Sequence, residues 1–251
     1  MFMPHSFQMF GRATDWEAAV ADLSPTAWWR LGESSGVIAT DENGAFDGTY
    51  VASPSLNQNS LVVGDENPCV GLNGANELVT MGDVLNPDDS DFSVVFWVKP
   101  DTLSAVQRPM QKRGSGAAGT QPGWQIGFTS TGINNTVIET ANGGNAVIGV
   151  SEQSGYGGIS TSVPGMIALT WSNANERMRL YVNGSLEATG TVSGSMAGES
   201  VTTTRPLTIG CSDNGGGTRS QFWDGFVDEA LFFLGTELTS TDISNLYSAG
   251  S

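Results

Sequence analysis

Phe222-Trp223-Asp224-Gly225-Phe226-Val227-Asp228-Glu229-Ala230-Leu231-Phe232-Phe233 is the stretch on which the fold turns. Phe226, Asp228, Ala230 and Phe232 alternate with Val227, Glu229, Leu231 and Phe233, the period-two pattern of a strand. Both sets are largely apolar, so the strand is expected between two layers. Asp228 then stands on a face that should be dry, where a carboxylate is costly unless hydrogen bonds or a cation satisfy it. That conflict makes Asp228 the leading functional candidate.

Working outward, Phe92-Ser93-Val94-Val95-Phe96-Trp97-Val98-Lys99-Pro100 is apolar on both faces and stops at proline, as a central strand would. Gly165-Met166-Ile167-Ala168-Leu169-Thr170-Trp171 reads the same way. Arg179-Leu180-Tyr181-Val182 meets Asn183-Gly184, a strong hairpin signal, and Ser185-Leu186-Glu187-Ala188 returns from it. Ala27-Trp28-Trp29-Arg30-Leu31 and Pro206-Leu207-Thr208-Ile209-Gly210 add two further strands. Helices are expected only at the ends. Thr14-Asp15-Trp16-Glu17 has capping-box spacing ahead of a short helix over about residues 15–22. Thr239-Ser240-Thr241-Asp242 opens a second one with Ile243, Leu246 and Tyr247 as its stripe. Many short strands with terminal helices predict an all-β, two-sheet antiparallel sandwich. The organisation expected is an N-terminal arm and short helix over residues 1–23, then one domain over 24–251.

The composition agrees. Charged residues are 14% of the 251, against roughly 25% in an average soluble protein, so Gly, Ser, Thr and Asn must build much of the surface. A formal net charge of −16 argues against a nucleic-acid partner, which needs a basic footprint. No apolar run reaches the length of a membrane span, so no membrane insertion is expected. The start, Met1 to Phe10, is apolar but has no Lys or Arg before its apolar part, and Pro4, His5 and Gln8 interrupt it. Export by a signal peptide is therefore not expected. Cys69 and Cys211 fall in or beside strands. They read as buried free thiols, with a single disulfide as the alternative if their strands are neighbours.

The landmarks, in this order, resemble the laminin-G-like branch of the concanavalin A-like jelly rolls. The matching stretches are Trp28-Trp29-Arg30-Leu31-Gly32-Glu33-Ser34-Ser35-Gly36, Asp41-Glu42-Asn43-Gly44 leading to Gly48-Thr49-Tyr50, and Phe92 to Pro100. Then follow Arg179 to Gly184, Leu207 to Gly210, Gly225 to Glu229, and the closing Leu246-Tyr247-Ser248-Ala249-Gly250. The resemblance spans residues 24–251 and implies a jelly roll. Two departures are Leu72-Asn73-Gly74, where the family often has Phe-Asp-Gly, and Pro164-Gly165-Met166 in place of its usual Trp-His lead. The resemblance also implies a structural Ca²⁺, held by Asp228 with Asp41 and Asn43. The alternative is that Asp228 accepts backbone N–H bonds and holds no ion.

Sugar sites on β sandwiches need an aromatic platform flanked by polar side chains. Trp28, Trp29 and Trp97 sit in apolar strands and read as core. Trp124, Tyr156 and Trp223 are the ligand-binding candidates, because they lie beside Gly-rich segments at 114–119, 154–158 and 213–217. Such segments are also ordinary strand connections. Catalysis has little support. His5 is the only histidine, and the alternating Glu-x-Asp-x-Glu run resembling that of jelly-roll glycosidases does not occur. Asp88, Asp89 and Asp91 read as a solvated turn.

The reading is a non-enzymatic module displayed on a virion, as a capsid decoration, fibre or tail component, and able to bind cell-surface glycans. It rests on the opening Pro25-Thr26-Ala27-Trp28-Trp29-Arg30-Leu31-Gly32-Glu33, which resembles laminin-G-like domains of bacteriophage structural proteins. The alternatives are a secreted or cell-surface carbohydrate-binding module and, behind it, a glycosidase or lyase. Residues 1–13 carry Phe2, Phe7, Phe10 and three methionines, apolar surface that marks a contact. The arm is expected to order against another copy, making a homo-oligomer, or against other virion proteins.

Overall fold

The computed structural model describes residues 15–114, 121–149, 151–153 and 155–251. The anchoring role expected of residues 1–13 lies outside the described residues, as does Thr14. Helix α1 covers Asp15–Leu23 and α2 covers Ser240–Gly250. The strands begin β1 (Ala27–Trp29), β2 (Ile38–Ala39), β3 (Gly48–Val51), β4 (Ser55–Gln58), β5 (Cys69–Asn73), β6 (Leu78–Gly82) and β7 (Phe92–Pro100). They continue as β8 (Met110–Arg113), β9 (Gly123–Gln125), β10 (Thr136–Glu139), β11 (Asn145–Ile148), β12 (Gly165–Ser172) and β13 (Arg177–Val182). The last are β14 (Ser185–Thr189), β15 (Thr191–Ser193), β16 (Leu207–Ile209), β17 (Ser212–Asp213), β18 (Arg219–Ser220) and β19 (Asp224–Leu234).

Two antiparallel sheets face each other, as expected. One runs β14-β13-β12-β7-β19-β5-β4 with β1 also on β19; the other runs β15-β11-β10-β9-β8-β16-β6-β3-β2. Between them Val94, Phe96, Val98, Ile167, Val227 and Phe232 meet Trp124, Ile138, Ala146 and Ile209. Phe92 and Phe232 stack with ring centroids 6.0 Å apart. A second apolar layer lies on the far side of the eight-stranded sheet. There Val95, Trp97, Met166 and Leu231 are covered by Trp16 and Val20 of α1 and by Ile243 and Leu246 of α2. Trp16 meets Trp97 edge-on at 6.0 Å. This second layer is why β7 and β12 are apolar on both faces. It also makes α1 part of the packed domain rather than of a separate arm. Thr239 and Asp242 form the expected capping box at the start of α2.

The alternation expected along β19 holds only as far as Asp228. Pairing with β7 shifts register between Asp228 and Leu231, and Glu229 takes a left-handed φ of 49°. This β-bulge inserts one extra residue and reverses the phase beyond it. Val227, Ala230 and Phe232 therefore face the inter-sheet core, while Phe226, Leu231 and Phe233 face the helix layer. Asp228 and Glu229 sit on that same helix side. Cys69 and Cys211 are buried free thiols, and burial pushes the Cys211 thiol up to about 12.

Candidate functional site

Of the three residues assigned to a calcium ion, Asp41 and Asn43 are taken up by other bonds, while Asp228 keeps Oδ1 without a hydrogen-bond partner among the described residues. Asp41 Oδ1 accepts from the backbone N–H of Trp28 at 2.9 Å and of Asn43 at 3.1 Å. Its Oδ2 accepts from Ala45 N and Phe46 N, each at 3.1 Å. Four N–H donors thus point at one buried carboxylate, where a cation would need bare oxygens. Asn43 donates its side-chain amide to Pro25 O at 2.7 Å. Asp228 sits on the bulge instead: its Oδ2 accepts from Leu61 N at 2.8 Å and from Ser60 Oγ at 3.1 Å. Among the described residues no group of three or more His, Cys, Asp or Glu is placed to hold a metal ion. The donor set does not fit the ion that the resemblance implied.

Beside Asp228, Glu229 is equally buried. Its two oxygens accept from Arg30 Nε at 2.8 Å and from Trp28 Nε1 at 2.5 Å. The same guanidinium reaches Asp65 at 2.7 Å and Glu17 of α1 at 2.5 Å, and lies 5.3 Å from the centroid of the Trp28 ring. Arg30 therefore ties the N-terminal helix, the 59–68 loop and β19 together. Burial pushes the Glu229 carboxyl up to about 7 against the opposing pull of Arg30. Burial, helped by the charge of Glu229, also raises Asp228 well above the usual carboxylate range.

The expected aromatic platform is not on the surface. Trp124 and Trp223 are fully buried. The strand β9 is three residues long, and its middle side chain, Trp124, turns inward against Phe92 and Phe232. Trp223 packs edge-on against Phe128 at 4.8 Å. Tyr156 is half-buried, stacks on Phe128 and donates its hydroxyl to Thr129 O at 2.6 Å. Of the Gly-rich segments beside these rings, residues 115–119 and 154 lie outside the described residues.

The outer face of the nine-stranded sheet carries a buried ion pair that no sequence signal announced. Gly123 lies opposite both Arg113 on β8 and Glu139 on β10. With no side chain between them, Arg113 Nη2 reaches Glu139 Oε2 at 2.7 Å. Gly123 holds φ at 122°, and a Cβ there would meet Lys112 O at 2.0 Å. Gln125 flanks the pair, bonded to Arg113 at 3.2 Å. These side chains are sealed, so they knit three strands rather than offer a surface.

The accessible polar surface lies elsewhere, along β4, β5 and the start of β19. Phe226 is half-buried, opposite Gly71 on one side and Lys99 on the other. A Cβ on Gly71 would stand 3.2 Å from the Phe226 ring, so glycine leaves that ring room. The Lys99 ammonium sits 4.4 Å from the ring centroid, a cation–π contact that supports the ring from the other strand. Three adjoining cavities meet at Gln58, which lines all of them; Asn59 and Ser60 line two, and Phe226 lines two. One, of about 290 Å³, lies between Gln58, Lys99, Pro164 and Phe226. A second, of about 220 Å³, adds Asn73, Glu77, Asp101 and Asp224. The third, of about 510 Å³, is bordered by Asn57, Asp65 and Glu66. Together they make an open trench with one aromatic ring, several side-chain amides and carboxylates along its walls. Burial and the neighbouring Asp101 raise the Asp224 carboxyl.

A family model described as the concanavalin A-like lectin/glucanases superfamily matches residues 73–244, and the chain belongs to that family. No curated protein sequence matches. Among solved structures, domain 4 of AbnA, a GH43 extracellular arabinanase from Geobacillus stearothermophilus in complex with arabinotriose, aligns at 18% identity with a TM-score of 0.58. That alignment covers 89% of this chain and 98% of the arabinanase domain. Trypanosoma rangeli sialidase in complex with sialic acid aligns at 12% identity and a TM-score of 0.56, over 88% of this chain and 32% of the sialidase. A botulinum neurotoxin type C structure, whose subject is cell entry through two ganglioside molecules, aligns at 16% and 0.54, over 92% of this chain and 53% of that one. At these identities the likeness is one of fold.

Proposed function

We propose that the chain is a non-catalytic glycan-recognition module and that it holds a saccharide in the trench around Phe226. The observation that carries this reading is the half-buried Phe226 ring flanked by Gln58, Asn59 and Asn73 in an open groove. A pyranose or furanose offers one C–H face and a rim of hydroxyls. The ring takes the first, and amides and carboxylates take the second. The arabinanase domain, matched over nearly its whole length, was solved with arabinotriose, and that sugar is the first probe to use. Titration calorimetry with arabino-oligosaccharides and a broader neutral panel should find binding that Phe226→Ala weakens at least about tenfold, or about 1.4 kcal/mol. Binding unaffected by Phe226→Ala would remove the site.

Glycoside hydrolysis is the second reading, favoured by one observation: Asp101 and Asp224 border the same cavity, and Asp224 is raised as a general acid would be. Release of reducing ends from a bound oligosaccharide, lost in Asp224→Asn, would support it. Display on a virion is proposed from the Pro25 to Glu33 opening, with a secreted or cell-surface module as the alternative. Detection of the protein in purified virus particles tests that setting.

A further inference from the structure

We infer that the trench selects uncharged saccharides and rejects acidic ones such as sialylated, uronic or sulfated glycans. The inference rests on the glycan reading above and concerns which glycans that site admits. Glu66, Glu77, Asp101 and Asp224 border the trench, and among the described residues none of the four has an ion-pair partner. A fifth carboxylate, Asp65, is held by Arg30. The cation among the lining residues is Lys99, and its ammonium rests over the Phe226 ring.

Acidic sugars are held by planar guanidinium forks or by clusters of N–H donors aimed at the carboxylate. Among the described residues no arginine lines these cavities, and Arg30, which reaches Asp65 at their border, is already shared with Glu17 and Glu229. A saccharide stacking on Phe226 lies beside the Lys99 head. A neutral sugar then gains a three-donor neighbour for its hydroxyls, with carboxylates beyond to accept from them. An acidic sugar meets the same lysine but places its own charge among like charges, in a chain of net charge −16. Hydroxyl groups, as donors, fit acceptor-rich walls; carboxylates and sulfates, as acceptors only, do not.

The test uses the full chain on a glycan array carrying arabino-, xylo-, manno- and galacto-oligosaccharides beside sialylated, uronic acid and sulfated ones. The expected result is that every Phe226-dependent signal falls on an uncharged glycan. The double variant Asp101→Asn/Asp224→Asn, checked for an unchanged melting temperature, should raise binding of acidic glycans at least about tenfold, and added salt should raise it in the unaltered protein. An acidic glycan bound by the unaltered protein, and lost in Phe226→Ala, would overturn the inference while leaving the glycan site standing. Silence across the whole array would overturn the glycan reading and this inference with it.

Discussion

Asp41 and Asp228 are both sealed from water, and the chain treats them in opposite ways. Asp41 accepts from three backbone N–H groups of its own turn and from a fourth on β1, so both its oxygens are satisfied. Asp228 sits on a bulge where one oxygen accepts two bonds and Oδ1 has no partner among the described residues. Its neighbour Glu229 is equally buried but holds Arg30. The comparison teaches that burial alone does not mark a functional carboxylate. What matters is whether the local backbone already supplies the donors, and only the fold decides that.

The largest effect should come from removing the cation at the bulge. Arg30→Met leaves Glu229, Asp65 and Glu17 without their shared partner and should cost about 3–5 kcal/mol in urea unfolding. A loss below about 1 kcal/mol would mean that the node does not hold α1 and the 59–68 loop to the sheet. Next, Asp41→Asn sets an amide N–H₂ against converging N–H donors and should destabilise by about 2–4 kcal/mol. The sign then reverses with pH. Glu229 has a folded value near 7, above its ordinary 4.5, so its contribution to stability is complete below the ordinary value and is lost as pH rises through the folded one. Stability measured from pH 5 to pH 8 should therefore carry a decline on the order of 2 kcal/mol that Glu229→Gln removes. An unchanged slope in that variant would assign the decline to other groups.

Asp228→Asn is the smallest expected change and sharpens the comparison most. The amide oxygen keeps the Leu61 and Ser60 bonds while the charge problem disappears. The exchange should alter stability by less than about 1 kcal/mol, toward greater stability above neutral pH. The same chemical substitution should thus be harmful at 41 and nearly neutral at 228.

Much of the fold was legible because it rests on local periodicity. Phe92 to Pro100 and Gly165 to Trp171 are apolar on both faces, and that texture requires a layer on each side. Asn183-Gly184 fixes a hairpin and Thr239 with Asp242 fixes a helix start, each within a few residues. The phase of β19 was not legible, because Glu229 absorbs an extra residue at a positive φ that nothing in its type requires. Trp124 was misjudged for a related reason: its Gly-rich flank says nothing about which way a three-residue strand turns its middle side chain. The trench was hidden more deeply still. Gly71, Lys99 and Phe226 are unremarkable one by one, and only the pairing of β5, β19 and β7 sets a ring between an absent side chain and an ammonium. Asp41 and Asn43 were read as ligands of an ion, and the sequence did not show that N–H groups of their own turn and of β1 already converge on Asp41.

The glycan trench is the central claim, and chemical-shift mapping tests it most directly. Titrating arabinotriose and the neutral oligosaccharides into ¹⁵N-labelled protein should move the amide signals of Gln58, Asn59, Gly71, Lys99 and Phe226 together, with one saturating curve. Shifts confined to the opposite sheet, around Arg113, Gln125 and Glu139, or none from any saccharide on the panel, would contradict the account.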